Sequence, residues 1–263
     1  MNSTGRRRFA IVGDPVMHSM SPAIHTAGYA AYDIDAVFEH LPTTADQFGR
    51  VVAALRAGEL AGVNVTMPHK ERAFAAVDDL DEVARRSRAV NTIVVNDGRL
   101  VGYNTDVVGV QVAGTQAGFS DSAPVLVLGA GGAAAAAVVA MADRSLFVSA
   151  RNQPDARELL ERTLTEATVV SWGEGVAGAI VVNATPLGMR GEELPGDVLV
   201  VGSGLLDMTY GQGQTTACEL YRRLGLPCAD GFDMLVAQAG SAFELFTGIA
   251  PDLDIFRLAI KGS

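Results

Sequence analysis

The sequence predicts an α/β protein built as two successive units, and three observations carry that reading. Glycine makes up 29 of the 263 residues, above the usual ~7%. Many of these glycines stand where a short apolar run stops, as at Gly13, Gly62, Gly102, Gly129 and Gly188. Short apolar runs also alternate with helical patterns along the chain, the pattern of a sheet covered by helices. Finally, one run leads into a glycine turn of nucleotide-binding form, and only the second unit has such a turn.

In chain order, Arg6-Arg7-Arg8 precedes an apolar stretch at residues 9–12 that ends at Gly13-Asp14-Pro15. That stretch is too short for a secretory h-region and reads as a first strand. Ser21-Pro22 opens a helix as N-cap and first-turn proline. Further strands are expected at 36–41, 62–65 and 92–95. A helix opens at Thr43-Thr44-Ala45-Asp46 and runs to about residue 57, and another begins at Pro68. Asn96-Asp97-Gly98 reads as a hairpin turn. The boundary between units falls near Val101-Gly102. Beyond it, strands are expected at 125–128, 146–149, 169–171, 180–183 and 205–208. An Ala-rich helix covers 132–141, and two final helices cover 232–246 and 252–260.

Composition narrows the function. The chain is 49% hydrophobic and 19% charged, enough to bury a core and too apolar for disorder. Twenty Lys and Arg against 30 Asp and Glu give a net charge of −10. That balance argues against a nucleic-acid partner, which needs a basic footprint, and against docking on an anionic membrane. No apolar run approaches the ~18 residues of a membrane span. The only cysteines, Cys218 and Cys228, lack metal-ligand spacing and read as free thiols of a reducing cytoplasm. His18 and His25 are not spaced as a ligand pair and are expected to be buried structural residues, so no metal is expected.

Gly129-Ala130-Gly131-Gly132-Ala133-Ala134 follows one strand and opens a helix. The first glycine suits a tight turn, the second a close approach of pyrophosphate to backbone, and the small third residue close helix–strand packing. The helix N-terminus offers N–H groups and the positive end of its dipole. An NAD site places an acidic residue about 20 positions on, at the ribose hydroxyls. Here no acidic residue precedes Asp155, and Arg151 stands at the next strand's end. A guanidinium suits a 2′-phosphate, so NADP is expected over NAD. Arg157 is a second candidate, with a helix-surface charge as its ordinary reading.

Three stretches of the first unit concentrate polar residues. In Gly13–His25, Ser19 and Ser21 can present two hydroxyls to a carboxylate at a helix start. In Gly62–Lys70, Asn64 and Thr66 end a strand, and Lys70 sits in a helix's first turn against dipole preference, a local conflict that points to function. The third stretch is Ala89-Val90-Asn91-Thr92 with Gly102-Tyr103-Asn104-Thr105-Asp106. Asp106 supplies a carboxylate there, or caps the helix that follows.

In these stretches the chain resembles the shikimate/quinate dehydrogenase family over nearly its whole length. The motifs are G-x-P-x-x-H-S-x-S-P-x-x-H at 13–25, N-V-T-x-P-x-K at 64–70, A-V-N-T at 89–92 and G-x-N-T-D-x-x-G at 102–109. The glycine turn, Asn183–Met189 and residues 231–248 extend the likeness. The resemblance implies a substrate-binding α/β domain of residues 1–101, completed by helices in 237–263. It also implies a Rossmann-type NADP-binding domain of residues 102–236, with a cleft between the two. It implies NADP-dependent reduction of 3-dehydroshikimate to shikimate in aromatic amino-acid biosynthesis, with Lys70 and Asp106 as catalytic pair. Ser19, Ser21 and Tyr210 would hold the substrate carboxylate, and Asn64, Thr66, Asn91, Asp106 and Gln238 its hydroxyls. Thr185, Met189 and Gly231 join the glycine turn and Arg151 at the cofactor. An ordinary lysine keeps its proton up to ~10.4 and a nearby carboxylate raises that value, so the proton donor stays open between Lys70 and a water relay.

The chain departs from the family pattern at Thr26, at Gln212 near Tyr210 where proline is usual, and at 133–140, which lacks the helix arginine. Quinate/shikimate and aminoshikimate dehydrogenases share most of these residues, and the two serines with Arg151 favour shikimate with NADP. The resemblance also allows a weak homodimer. The serine pair and the Asn-Thr-Asp stretch fit a methylene-tetrahydrofolate dehydrogenase poorly.

Overall fold

A computed structural model describes residues 5–209 and 214–261. The chain divides into two compact units, Met1–Thr105 with Val236–Ser263, and Asp106–Leu235.

The first unit begins with β1 (Arg7–Gly13), α1 (Ser21–Ala31), β2 (Ala36–Pro42), α2 (Phe48–Arg56), β3 (Gly62–Val65), α3 (Lys70–Ala76), β4 (Asp79–Leu80), α4 (Glu82–Ser87), β5 (Thr92–Asn96) and β6 (Arg99–Tyr103); α5 (Thr105–Gln116) follows. The sheet runs β2-β1-β3-β5-β6-β4. β1 lies parallel to β2 and β3, while β5 is antiparallel to both β3 and β6. The expected hairpin is present. Asn96 pairs with Arg99, and the loop residues Asp97 and Gly98 have φ of 47° and 76°, the doubly positive geometry of a type I′ turn.

The second unit contains β7 (Val125–Leu128), α6 (Gly132–Ala140), β8 (Leu146–Ser149), α7 (Gln153–Thr163), β9 (Thr168–Val170), β10 (Ile180–Asn183), β11 (Gly204–Asp207), α8 (Thr216–Arg223) and β12 (Cys228–Ala229); α9 (Gly231–Thr247) and α10 (Leu253–Lys261) come after it. Its sheet, β12-β11-β10-β7-β8-β9, is parallel throughout. Counted within the unit this is the order 3-2-1-4-5-6 of a Rossmann sheet, whose chain reverses direction of travel between β7 and β10. Strands buried on both faces are continuously apolar, and β7, β10 and β11 are buried at every position. α6 is buried from Ala134 to Ala140, because its run of small side chains lets the helix lie close on the sheet.

Alternation divides the first unit's core. Ala10, Val12, Val63 and Val65 pack with Phe48, Val51 and Leu55 on one face of the sheet. On the other, Phe9 meets Tyr29 and Phe246, and His25 stacks on Phe38 at 4.2 Å. Phe243 and Phe256 from α9 and α10 complete this aromatic layer. Gly28 is required here, since a Cβ would come within 2.6 Å of the Phe243 ring.

Five local expectations need correction. The helix expected to open at Thr43–Asp46 starts at Phe48, with Gln47 in the cap position. Ser21 is the first residue of α1 and not its cap. Met20 holds the cap position without a side-chain bond, and the Ser21 N–H donates to Ser19 Oγ instead. The helix expected at Pro68 starts at Lys70. The one expected after Asp106 starts at Thr105, with Asp106 in its first turn. His25 is buried as expected, but His18 is exposed.

Candidate functional site

The first unit's polar residues gather at one end of its sheet. β1, β3 and β6 finish there and β5 starts there, because β5 alone runs against the others. Backbone bonds tie the loops together: Thr66 N–H donates to Val12 O at 2.9 Å, Asp14 N–H to Met67 O at 3.0 Å, and Val90 N–H to Lys70 O at 3.0 Å. A Cβ on Gly13 would collide with Thr66, so the two loops need glycine there to approach.

Buried side chains connect these loops in a continuous row. Asn64 Nδ2 donates to Thr92 Oγ1 at 2.9 Å, and Thr92 Oγ1 donates to Asn91 Oδ1 at 3.0 Å. Asn91 Oδ1 also accepts the Thr105 N–H at 2.8 Å, while Asn91 Nδ2 donates to Thr105 Oγ1 at 3.0 Å. Thr105 Oγ1 and Asn91 Nδ2 reach Gln238 Oε1 at 3.3 and 3.4 Å. Its longest-range bond, from Asn91 to Gln238, joins residues 147 positions apart. Asn104 fastens the turn before α5, donating to Ser87 Oγ at 2.8 Å and Ala89 O at 3.1 Å. Buried hydrogen-bonded networks of this kind hold their members in one geometry.

Ser19 and Ser21 form a second polar group at the start of α1. The Ser19 hydroxyl donates to the Ser21 hydroxyl at 3.1 Å, and His40 Nε2 pairs with Ser19 O at 2.9 Å. The pair offers two adjacent hydroxyls at the positive end of an 11-residue helix, suited to a carboxylate. Lys70 lies partly exposed at the start of α3. Its carbonyl is held through Val90, the neighbour of Asn91. Asp106 is buried, next to the networked Thr105.

In the second unit the glycine turn sits at the sheet's switch point. Gly129 has φ of 113°, and a Cβ there would lie 3.0 Å from the carbonyl oxygen of Ala184, the residue following β10. Its N–H donates to Ser149 O at 2.9 Å. Gly131 is exposed at the N-cap of α6, with open space where a Cβ would stand. That is the cradle a pyrophosphate needs, with the helix N–H groups behind it. Arg162 Nη2 reaches Ala130 O at 3.4 Å. Arg151 is exposed just past β8, whereas Arg157 lies along α7 with Gln153 Oε1 at 3.3 Å.

A second network organises the loops after β10 and β11. Asn183 Nδ2 donates to Asp207 Oδ1 and to Leu187 O, both at 2.9 Å. Asn183 Oδ1 accepts from Thr185 Oγ1 at 2.7 Å. Asp207 also accepts from the Thr209 N–H at 3.1 Å and the Thr209 hydroxyl at 2.8 Å, and from Thr215 Oγ1 at 2.6 Å. It thereby binds both Thr209 and Thr215; Tyr210 and Gln212 lie outside the described residues. Met189 is 48% exposed. Gly231 is buried in the first turn of α9, where Asp230 Oδ1 accepts the N–H groups of Phe232 and Asp233.

The chain is similar to known proteins over nearly its whole length. Residues 11–93 match the family model described as the shikimate dehydrogenase substrate binding domain, and residues 231–261 that described as the shikimate 5'-dehydrogenase C-terminal domain. The NADP(+) shikimate dehydrogenase of Rubrobacter xylanophilus is 41% identical over 96% of this chain and 94% of its own. The chain belongs to the shikimate dehydrogenase family. Shikimate 5-dehydrogenase from Thermus thermophilus, solved in complex with NADP(H) and shikimate, superposes with a TM-score of 0.88 at 31% identity, covering 97% of this chain and 99% of that one. The fold is shared more widely: 5-ketofructose reductase of a Gluconobacter strain matches with a TM-score of 0.86 at 26% identity, over 98% of each chain.

Within the shikimate dehydrogenase pattern, three supporting residues were not singled out from sequence: Thr92, Thr105 and Asp207. The first two stand inside the A-V-N-T and G-x-N-T-D stretches, so their signal was visible as motif letters. Asp207 shows in sequence only as a strand-end acid before Met208-Thr209.

Proposed function

We infer that the chain catalyses the NADP-dependent, reversible reduction of 3-dehydroshikimate to shikimate, in aromatic amino-acid biosynthesis, with Lys70 and Asp106 as its catalytic pair. Most of the residues assigned to substrate belong to the unit of Met1–Thr105 with Val236–Ser263, Asp106 and Tyr210 excepted, and those assigned to the cofactor belong to Asp106–Leu235. The observation that carries the reading is the row Asn64–Thr92–Asn91–Thr105–Gln238. Since the fold also serves a ketofructose reductase, substrate identity has to come from side chains. Amides and hydroxyls already locked to one another can reject a molecule whose hydroxyls do not match, because a mismatch leaves buried groups unpaired.

Ser19 and Ser21 take the carboxylate, joined by Tyr210. Asn64, Thr66, Asn91 and Gln238 read the ring hydroxyls. Bound NADPH supplies the hydride that reduces the C3 carbonyl. The Lys70 ammonium donates a hydrogen bond to the oxygen on which negative charge develops, stabilising it and offering a proton. Asp106 orients Lys70 and accepts from a substrate hydroxyl. The backbone of 129–133 receives the pyrophosphate, Arg151 the 2′-phosphate, and Thr185, Met189 and Gly231 flank the nicotinamide. The unpaired thiols Cys218 and Cys228 fit a cytoplasmic enzyme, and among the described residues no helix is long and apolar enough to cross a membrane.

The test is a dehydrogenase assay of shikimate, quinate and aminoshikimate, each with NADP and NAD. The expected result is the highest kcat/KM for shikimate with NADP. A preference for quinate or aminoshikimate would move the chain to a sister activity, and a clear NAD preference would remove Arg151 from its role.

A further inference from the structure

His25 has no part in the chemistry above, yet it lies directly beneath it. On α1 the buried residues are Ser21, Ile24, His25, Gly28 and Tyr29, one face of a helix. His25 therefore stands one turn below Ser21. Strand register places Asn64 opposite that face. Phe9 pairs with Phe38 on one side and Gly62 on the other, and Asn64, two residues on from Gly62, shares their side of the sheet. His25 stacks on Phe38 with ring planes 5° apart. Both of its ring nitrogens and Asn64 Oδ1 are buried without a hydrogen-bond partner. Burial drives the imidazole pKa down to about 3, and Asn64 is the side chain that opposes the fall. The ring is therefore neutral, with one N–H donor and one acceptor nitrogen.

The row of side chains dictates which way the Asn64 amide faces. A backbone N–H can only donate, and the Thr105 N–H donates to Asn91 Oδ1. Thr92, which also donates to Asn91 Oδ1, must then accept from Asn64, so Asn64 turns its Nδ2 to Thr92. Asn64 Oδ1 is thereby directed away from the row, a buried acceptor in need of a donor.

We propose that His25 is a positioning residue that donates its ring N–H to Asn64 Oδ1 and so fixes the amide with its second Nδ2 proton free for a substrate oxygen. The proposal rests on the assignment of Asn64 to the substrate site and specifies it: Asn64 reads substrate as a donor. The row is polarised from both ends, by the Thr105 backbone at one and by His25 at the other.

His25→Phe keeps the ring stack and removes the N–H. The expected result is a shikimate KM raised about tenfold, the scale of one buried hydrogen bond, with kcat and the KM for NADP changed less than about twofold. His25→Gln restores a donor and should recover most of the loss. Tyr29→Phe, which alters a neighbouring buried hydroxyl without touching the pair, should leave KM unchanged. In an Asn64→Ala background, His25→Phe should add nothing. An equal loss in kcat and in both KM values, no recovery by glutamine, or full additivity with Asn64→Ala would overturn the proposal. Nitrogen-15 histidine NMR on the ligand-free wild-type protein supplies an independent readout. It should show one protonated ring nitrogen at His25 whose resonance shifts in Asn64→Ala, and an unmoved resonance would sink the pairing even if the kinetic variants fail to fold. If the wild-type enzyme leaves shikimate untouched, the substrate assignment fails while the NMR still decides the pairing.

Discussion

The two units build their candidate sites from opposite materials. In the first unit the chemistry sits on side chains, and other side chains hold them: Asn64, Thr92, Asn91, Thr105 and Gln238 lie in one hydrogen-bonded row. In the second, the glycine turn offers backbone N–H groups, and what matters there is the absence of side chains at Gly129 and Gly131. A ligand rich in hydroxyls demands donors and acceptors at fixed places, whereas a pyrophosphate demands close approach and a positive field. The first unit should thus be broken by removing atoms and the second by adding them.

The largest effect is expected at Lys70. Lys70→Ala should lower kcat at least ~100-fold, the low end for general acid–base groups, with the NADP dissociation constant unchanged by fluorescence titration. A kcat near wild type would remove Lys70 from the chemistry. The opposite operation applies at Gly129. With φ of 113° and Ala184 O 3.0 Å from a new Cβ, Gly129→Val forces a strained backbone costing ~1–3 kcal/mol. The KM for NADP should rise ~10–100-fold, given tenfold per 1.4 kcal/mol, and Tm should fall. Shikimate binding without cofactor, measured by calorimetry, should hold. Gly131→Ala, with open space at its Cβ position, should keep Tm while weakening NADP. A fall in Tm as large as that for Gly129→Val would mean that Gly131 is structural.

A subtler break of the first site is Thr105→Val, which removes one hydroxyl and keeps the shape. Asn91 Nδ2 and Gln238 Oε1 lose their shared partner, and an unsatisfied buried group costs ~1–3 kcal/mol. The expected outcome is a shikimate KM raised about tenfold with NADP kinetics intact. If KM for NADP rose equally, the row would be scaffold for the whole protein and not a reader of substrate.

The contrast also explains what was legible in the sequence. The strands at Gly62–Val65, Val125–Leu128, Leu146–Ser149 and Ile180–Asn183 match their expected bounds, because short apolar runs between glycine-rich turns leave little freedom. α4 and α8 and the two-residue strands β4 and β12 were missed. β4 and β12 exist through their partners β6 and β11, and two residues carry no period of their own. The helix start at Ser21 was misread because Ser19 reaches forward over the intervening Met20 to take its N–H. Sequence reading found the glycine turn from spacing alone, since backbone approach leaves glycine as its trace. The polar row was another matter: its members were readable as motif letters, but bonds spanning 13 to 147 positions exist only once the sheet has formed.

The smallest expected effect falls where the second unit departs from its own rule. Arg151 is the charged side chain of that unit assigned to the cofactor's 2′-phosphate, and it stands exposed beyond β8. Just beyond it in sequence, Asn152 Nδ2 bonds Asp155 Oδ1 at 2.7 Å, so that carboxylate is already engaged at the start of α7. A guanidinium on a 2′-phosphate makes charge-assisted hydrogen bonds, but in contact with water these are screened, worth little more than ~1 kcal/mol. Arg151→Ala should therefore raise the KM for NADP only about fivefold to tenfold. The KM for NAD, which has no 2′-phosphate, should stay within twofold, and the penalty should shrink in 0.5 M salt. Equal losses for both cofactors would show that Arg151 supports the turn itself. No loss for either would leave cofactor choice to the backbone and to Arg162 behind Ala130, extending the rule of the second unit to the residue that seemed to break it.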